Sequence, residues 1–128
     1  MADDAVGGSE RLRVLVVDDA EDFANLLADS LVDQGYEAHV AHDGDSALAL
    51  VEQVRPHCVL FDVGMPNMDG NQLSRALRER HGDDIVLIAI SGYPDTDRAV
   101  EAAYARADHY LRKPFDLEVL HRILRPGR

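Results

Sequence analysis

Short runs of apolar residues alternate along the chain with longer stretches in which apolar residues recur every three or four positions. The first run, Leu12 to Val17, ends abruptly at Asp18 and Asp19, a pattern typical of a strand that is buried on both faces. Helical spacing follows at Phe23, Leu26, Leu27 and Leu31. Gly35 then favours a helix end, because glycine readily adopts the left-handed conformation found there. The opening segment therefore predicts one strand followed by one helix.

The same alternation recurs through the rest of the chain. Further strands are predicted at Glu37 to Ala41, Cys58 to Phe61, Ile85 to Ile90 and His109 to Leu111. Further helices are predicted at Ala47 to Val54, at Leu73, Ala76, Leu77 and the aliphatic stem of Arg80, at about Asp95 to Ala105, and at Leu117 to Leu124. Five strands that alternate with five helices predict an α/β fold, a doubly wound sandwich around a five-stranded parallel sheet with right-handed crossovers.

The length of the chain, 128 residues, suits one domain, since single domains commonly run to about 100 to 200 residues. Apolar residues make up 46% of the chain, enough to cover both faces of one sheet. Residues 1–10 carry Gly7, Gly8 and Ser9 among acids and lack apolar periodicity, so we interpret them as a flexible tail or linker. The folded domain is expected to occupy residues 11–128.

The charge balance excludes some classes of partner. Asp and Glu number 24 against 13 Lys and Arg, a formal net charge of -11, which repels nucleic acid phosphates, so direct nucleic acid binding is not expected. Membrane insertion is not expected either, because no apolar run approaches the roughly 18 residues that cross a bilayer and the acidic start does not resemble a signal peptide. The lone cysteine, Cys58, lies in an apolar run, which favours a small buried side chain in a reducing cytoplasm.

Polar side chains follow directly after the predicted strands. Ligands of doubly wound sheets bind beyond the carboxyl ends of the strands, where this chain has Asp18, Asp19, Asp62, Ser91 and Lys113. Three carboxylates in one crevice repel one another unless a cation lies near them, and oxygen-only donors favour Mg²⁺. Lys113 and Ser91 supply a positive charge and a hydroxyl suited to phosphoryl oxygens. A carboxylate such as that of Asp62 can itself be the nucleophile in phosphoryl transfer.

Together these motifs resemble the receiver domain of two-component response regulators, which has a flavodoxin-like fold. The motifs are Asp18-Asp19, the run from Asp62 through Gly64 and Pro66 to Gly70, Ser91-Gly92 and Lys113-Pro114-Phe115. The resemblance covers about Leu12 to Leu124, and the motifs stand in order at the ends of the predicted strands. The folded part of the chain, residues 11–128, is therefore identified as a receiver domain.

The resemblance implies a metal-dependent phosphoacceptor site. Asp62 would accept the phosphoryl group. Asp19, Asp62 and the backbone carbonyl of Gly64 would bind Mg²⁺ or Mn²⁺, and Asp18 would act mostly through water. A carboxylate needs no separate general base to attack phosphorus, because it has no proton to lose.

The resemblance also implies how the phosphoryl group is held and sensed. Ser91 and Lys113 would hold the phosphoryl oxygens. Tyr110 would be the aromatic switch that follows Ser91 inward, and the signal would leave through the face formed by the predicted fourth helix, fifth strand and fifth helix. Apart from the resemblance, Tyr93, two residues after Ser91, is large enough to lean over the site. Its ring would either shield the phosphoryl group from water or point to solvent as a loop aromatic.

The implied partners are proteins. The phosphoryl group would come from a sensor histidine kinase or a histidine phosphotransfer protein, and a downstream protein would receive the signal in the cytoplasm. The chain would be a signalling domain and not an enzyme, apart from its own phosphorylation and autodephosphorylation. It would be either a stand-alone regulator or the receiver of a hybrid sensor kinase. The six histidines lack metal-ligand spacing and are expected at the surface: His39, His42, His57, His81, His109 and His121.

Other interpretations compete with this one. A degenerate receiver that acts only as a protein-binding module is disfavoured because every chemical position is filled. An aspartyl-phosphate hydrolase would need an acid where this chain has Gly64, and a flavin-binding module would need a phosphate loop rich in Ser, Thr and Gly after the first strand. For single residues, Asp18 and Asp19 could instead cap the following helix, and Tyr110 could be a core aromatic.

One position departs from the receiver pattern. Receivers usually carry glycine before the Ala-Asp pair that opens the fifth strand, and this chain has Arg106 before Ala107 and Asp108. If the backbone is left-handed there, a residue other than glycine costs about 1 kcal/mol. The preceding helix end would then be reshaped.

Overall fold

The strands form a single sheet. A computed structural model describes residues 11–63, 70–92 and 105–124. The five strands are β1 Arg13–Val17, β2 Glu37–Ala41, β3 Cys58–Asp62, β4 Val86–Ser91 and β5 His109–Arg112. All neighbouring pairs are parallel, in the order β2-β1-β3-β4-β5. The predicted five-stranded parallel sheet is confirmed, and the chain changes direction across the sheet between β1 and β3, where ligands of such folds bind.

Four helices lie in the described residues: α1 Glu21–Asp33, α2 Gly44–Val54, α3 Gly70–His81 and α4 Leu117–Leu124. Asp43 caps α2 by accepting a hydrogen bond from the Ser46 amide at 2.7 Å, and Arg55 ends the helix in a left-handed conformation. The Ala-rich helix predicted at about Asp95 to Ala105 falls almost entirely outside the described residues. No described helix is long and apolar enough to cross a membrane.

Successive residues of each strand point to opposite faces of the sheet, so the fold has two apolar cores. Leu15 and Val17 pack with residues of α2 and α3, whereas Val14 and Val16 pack with residues of α1 and α4. The doubly wound arrangement is confirmed by this division. Cys58 lies in the second core at 2% exposure, and burial, with the charge of Asp108, raises the pKa of its thiol. It is the small buried side chain that its apolar surroundings predict.

Two side chains expected on buried stripes are exposed instead. Leu26 is 69% exposed, because the face of α1 turned to the sheet carries Ala24, Leu27, Ala28 and Leu31. The aliphatic stem of Arg80 does not complete the stripe of α3 either, since Arg80 is exposed and the buried positions are Gly70, Leu73, Ser74 and Leu77. Leu26 and Arg80 are exposed for the same reason. On both helices the face turned to the sheet includes small residues, which a pattern of large apolar side chains does not reveal.

Arg78 of α3 connects the segments that lead into β4 and β5. Its guanidinium donates to the carbonyls of Gly82 at 2.8 Å and Ile85 at 3.0 Å, and twice to the carbonyl of Arg106 at 2.8 and 3.0 Å. It also pairs with Asp108 at 2.8 Å. One side chain thereby holds together the amino ends of two neighbouring strands.

Arg106 does not carry the backbone strain expected at a position where receivers usually have glycine. The residue is helical, and Arg55 is the only residue other than glycine with a positive φ in the part of the chain that the structure describes. The Arg106 carbonyl accepts hydrogen bonds from Arg78, and the Arg106 guanidinium donates to the side-chain oxygen of Asn71 near the start of α3. The larger side chain is therefore accommodated by a contact that glycine cannot make.

Candidate functional site

The carboxyl ends of β1 and β3 bring three carboxylates together. Val17 and Phe61 are register partners, so Asp18 and Asp62, which follow them, lie side by side at the carboxyl edge of the sheet. Asp18 is 1% exposed and Asp62 8%, while the neighbouring Asp19 is exposed. One carboxylate oxygen of each of the three residues lies within 4.8 Å of the others. The acidic crevice predicted at the strand ends is confirmed.

Asp18 is held in place by the ends of two strands. Its amide donates to the carbonyl of Ala41 at 3.1 Å, and its own carbonyl accepts a hydrogen bond from Nδ1 of His42 at 3.1 Å. Its carboxylate Oδ1 accepts from the amide of Ala20 at 2.9 Å, which orders the loop before α1. Ala20 is itself the N-cap of α1 and makes no side-chain capping bond, so the interpretation of Asp18 and Asp19 as helix caps is wrong.

Lys113 provides the positive charge of the crevice. Its Nζ lies 2.7 Å from Oδ2 of Asp18 and 3.9 Å from Oδ2 of Asp62. The Lys113 amide donates to the carbonyl of Ser91 at 2.8 Å, which fixes the residue just after the end of β5. The side chain is 24% exposed, so its charge is partly removed from water and interacts with the two carboxylates more strongly than a solvated lysine would.

Ser91 ends β4 beside the acidic crevice. Asp62 is the register partner of Ile90, and the Val63 amide donates to the Ile90 carbonyl at 3.0 Å, so β3 and β4 stay paired up to the site. Ser91 is fully buried, in agreement with a position at the inner end of the crevice. The structure thus brings together Asp18, Asp19, Asp62, Ser91 and Lys113, the five residues that the strand ends predicted.

Gly70 is required where α3 starts against the strand end that carries Asp62. A Cβ atom at this position would lie 2.4 Å from Cα of Val63, 3.1 Å from the carbonyl oxygen of Asp62 and 3.1 Å from Cδ2 of Phe61. Any side chain here must push the helix away from β3. The sequence places Gly70 only at the end of the motif that starts at Asp62. It does not reveal this packing role, because the contact joins residues that only folding brings together.

The donor set of the crevice fits a hard divalent cation. All three side chains offer carboxylate oxygens, and the exposed Asp19 leaves access from solvent. In the described residues Lys113 is the cation that the structure pairs with this cluster, and one ammonium cannot neutralise three carboxylates. Uncompensated negative charge at close range is what a bound cation relieves. The residues of this site are therefore able to hold a metal ion.

The remaining predicted site residues differ in what the structure says of them. Tyr110 lies on the edge strand β5 and is 61% exposed, so it is not a core aromatic in this structure. Gly64 and Tyr93 lie outside the described residues, and their roles stay predictions.

The histidines were expected at the surface, and this holds fully only for His109. The other five are half-buried and hydrogen-bonded, as in the bond of Nδ1 of His121 with the hydroxyl of buried Tyr36 at 2.8 Å. They join separate partners: Glu37 for His39, the Asp18 carbonyl for His42, the Arg13 amide for His57 and Glu52 for His81. In the described residues the one cluster suited to a metal is the acidic crevice, not a group of histidines.

Comparison with known proteins places this geometry in a family. The family model of the response regulator receiver domain matches residues 14–125 of this chain. Response regulator MprA of Mycobacterium tuberculosis is 39% identical over 109 residues, which are 85% of this chain and 47% of that protein. Regulatory protein AtoC of Escherichia coli is 37% identical over 112 residues, 88% of this chain and 24% of that protein. The chain thus spans less than half the length of these two relatives.

Solved structures agree with the sequence comparison. Chemotaxis response regulator CheY4 of Vibrio cholerae superimposes with a TM-score of 0.76 at 29% identity, over 89% of this chain and 99% of that one. Response regulator TrrA of Thermotoga maritima, solved in complex with Mg²⁺ and BeF, gives a TM-score of 0.78 at 28% identity, over 88% and 95% of the two chains. With the strand order, the acidic crevice and the match over residues 14–125 in agreement, the chain belongs to the receiver domain family of two-component response regulators.

Proposed function

We propose that this receiver accepts a phosphoryl group on Asp62. The observation that carries the proposal is the position of the Asp62 carboxylate at the end of β3, where Lys113 lies 3.9 Å away and the carboxylates of Asp18 and Asp19 are near neighbours. The other buried acid, Asp18, accepts a hydrogen bond from the Ala20 amide with one oxygen and pairs with Lys113 through the other. Asp62 ends β3 within 3.9 Å of the Lys113 ammonium and is our candidate for the nucleophile.

The reaction needs little from the protein beyond position and charge. A carboxylate oxygen of Asp62 attacks the phosphorus of the donor, a new O–P bond forms, and the bond from phosphorus to the donor atom breaks with its electron pair leaving on the donor. Lys113 stabilises the negative charge on the transferred oxygens as a point charge. Ser91, at the end of β4, is proposed to donate its hydroxyl to another phosphoryl oxygen.

The cation of the site is proposed to be Mg²⁺ or Mn²⁺, held by Asp19, Asp62 and the Gly64 carbonyl. The occupation of both Asp18 oxygens by hydrogen bonds supports the indirect role of Asp18, through water. When bound, such an ion neutralises charge on the transferring phosphoryl group. The complex of TrrA with Mg²⁺ and BeF is a precedent in a similar protein.

A sensor histidine kinase or histidine phosphotransfer protein is the proposed donor, and a downstream protein the proposed target. The domain is proposed to be a stand-alone regulator or the receiver of a hybrid sensor kinase. Its own chemistry is proposed to be confined to its phosphorylation and dephosphorylation. The cytoplasm is the proposed location, which agrees with the free, buried thiol of Cys58.

The signal is proposed to leave through the face formed by the Ala-rich predicted helix, β5 and α4. Tyr110 on β5 is 61% exposed, so its side chain points outward in this structure and would have to rotate inward to approach Ser91. Phosphorylation would favour the inward rotamer by drawing the Ser91 hydroxyl to the phosphoryl group, a shift of population between two conformations.

Intact-mass spectrometry after incubation with acetyl phosphate and Mg²⁺ tests the central proposal. We expect one added phosphoryl group, which EDTA prevents and Asp62→Asn abolishes. Asp29→Asn, which removes an exposed carboxylate of α1, is the matched control and should be labelled like the wild type. Undiminished labelling of Asp62→Asn would exclude Asp62 as the acceptor, whereas a wild type that is never labelled would favour a degenerate receiver used only for protein binding.

A further inference from the structure

Lys113 has a third neighbour besides the two carboxylates. Its Nζ lies over the ring of Phe23, 4.3 Å from the ring centroid, well inside the separation of about 6 Å at which an ammonium is attracted to an aromatic face. Phe23 is in the first turn of α1, and its ring is half-buried against the core shared by α1 and α4. We propose that Phe23 is a positioning residue that keeps the Lys113 ammonium beside Asp62, an inference that rests on the phosphoacceptor function proposed above.

The Phe23 ring counteracts the unequal attraction of the Lys113 ammonium to the two carboxylates. Asp18 at 2.7 Å holds the ammonium more closely than Asp62 at 3.9 Å, so ion pairing alone draws the charge away from the proposed acceptor. An aromatic face attracts the ammonium without competing for the proton or for a metal ion. The ammonium can then exchange one oxygen partner for another while the ring continues to hold it.

The ring and the lysine stem are themselves held by neighbouring groups. Phe115, two residues after Lys113, packs against Phe23 with ring centroids 6.3 Å apart and planes at 83°. A Cβ atom at Gly92 would lie 3.9 Å from Cβ and Cδ of Lys113, so the lysine stem runs along the backbone that follows β4. The segment of Lys113 to Phe115 therefore contacts Phe23 at the start of α1 in two ways, through the Lys113 ammonium over the ring and through the edge-to-face packing of Phe115.

Variants at position 23 separate the electrostatic role from simple packing. We expect Phe23→Leu to lower the second-order rate constant for phosphorylation by acetyl phosphate by about threefold to tenfold, and Phe23→Tyr to stay near the wild type because the ring is retained. Site-specific incorporation of phenylalanines with one, two or five ring fluorines withdraws charge from the ring face at nearly constant shape. The rate constant should fall stepwise along this series, and the same substitutions at Phe115 should change it far less.

A second measurement avoids any dependence on phosphorylation. In protein free of metal and donor, the methylene protons next to Nζ of Lys113 should be shifted upfield by the ring current, and Phe23→Leu should remove the shift. If the wild type is not phosphorylated, the proposed function fails, but the shift still tests the contact. If phosphorylation proceeds and its rate is indifferent to fluorination and to Phe23→Leu, the positioning role is overturned. Should Phe23→Leu fail to fold, the fluorinated series decides alone.

Discussion

At the amino ends of the strands, arginine side chains donate to main-chain carbonyls, whereas at the carboxyl ends acidic side chains face one another. Arg13 donates to the carbonyls of Val54 and Arg55 at 2.9 to 3.1 Å, and Arg78 to those of Gly82, Ile85 and Arg106. At the other end three carboxylates lie together, and Lys113 pairs with two of them, at 2.7 Å from Asp18 and 3.9 Å from Asp62.

The difference shows how one small domain divides stability from reactivity. A guanidinium that donates to several carbonyls at once joins the segments that carry them, so it secures the backbone. An ammonium shared by competing carboxylates has more than one favourable partner and can respond to a ligand. Removing an arginine at the amino end should therefore lower the stability of the protein, whereas removing a carboxylate at the carboxyl end should raise it.

The largest effect on stability is expected from Arg78→Ala. The substitution leaves partly buried carbonyls without their donor, and we expect the free energy of unfolding to fall by about 3 kcal/mol, measured by urea denaturation. Arg80→Ala on the same helix removes an exposed arginine and should change it by less than about 0.5 kcal/mol. Phosphorylation of the folded Arg78→Ala protein should change little, and equal effects of the two substitutions would contradict the contrast between the two ends.

Gly70→Ala is expected to have the second-largest effect on stability, and it should also slow phosphorylation. Its Cβ would lie 2.4 Å from Cα of Val63, so α3 must shift away from the end of β3, at an expected cost of about 2 kcal/mol in unfolding free energy. Because the shift also disturbs the backbone at Asp62, phosphorylation should slow. Gly92→Ala, where a Cβ meets only ordinary contacts at 3.9 Å, is the stability control. A Gly70→Ala protein as stable as this control would show that α3 is not packed as described.

Asp62→Asn should raise stability while it abolishes phosphorylation. In buffer free of divalent cations, removal of one of three neighbouring carboxylates relieves repulsion, and we expect a gain of about 1 kcal/mol in the free energy of unfolding. Adding Mg²⁺ should stabilise the wild type and narrow the gap. A loss of stability in Asp62→Asn would mean that the carboxyl end, like the amino end, is arranged for stability.

The smallest effect concerns the pH dependence contributed by Asp108. Burial disfavours its charged form, but the Leu87 amide and the Arg78 guanidinium outweigh burial and lower the pKa of Asp108. A lowered folded-state pKa means that the stabilisation is complete above about pH 4 and is lost as the pH falls through the folded value. The stability gap between wild type and Asp108→Asn should therefore be larger at pH 6 than at pH 2.5, with the exposed Asp83→Asn as control. A gap independent of pH would exclude this linkage.

Much of the site could be predicted from sequence because strand ends are visible as abrupt changes from apolar to polar residues. Such a run is followed or ended by Asp18, Asp19, Asp62 and Ser91, whereas Lys113 follows the mixed strand β5. Parallel strands place all their carboxyl ends at one edge. Strand bounds agreed to within one residue for β1 to β5. For β1, β3 and β4 the reason is a continuous apolar run, which defines a strand buried on both faces.

Helix faces were harder to predict. Leu26 belongs to the apolar pattern of α1 but is exposed, since small alanines at 24 and 28 set the face that meets the sheet. On α3 the sequence does not distinguish Arg78 from Arg80, although one secures two strands and the other is exposed. Helical periodicity alone leaves the position of the buried arc uncertain by about one residue, or roughly 100°.

By itself the sequence determined the alternation of strands and helices, the parallel sheet and the set of acids at its carboxyl edge. These features depend on the order of residues along the chain, which local physical chemistry reads directly. Only the tertiary structure decided that Lys113 stands closer to Asp18 than to Asp62, that Phe23 lies beneath its ammonium, and that Gly70 touches β3. Each of these is a contact between distant segments, whose separation depends on how the helices pack against the sheet.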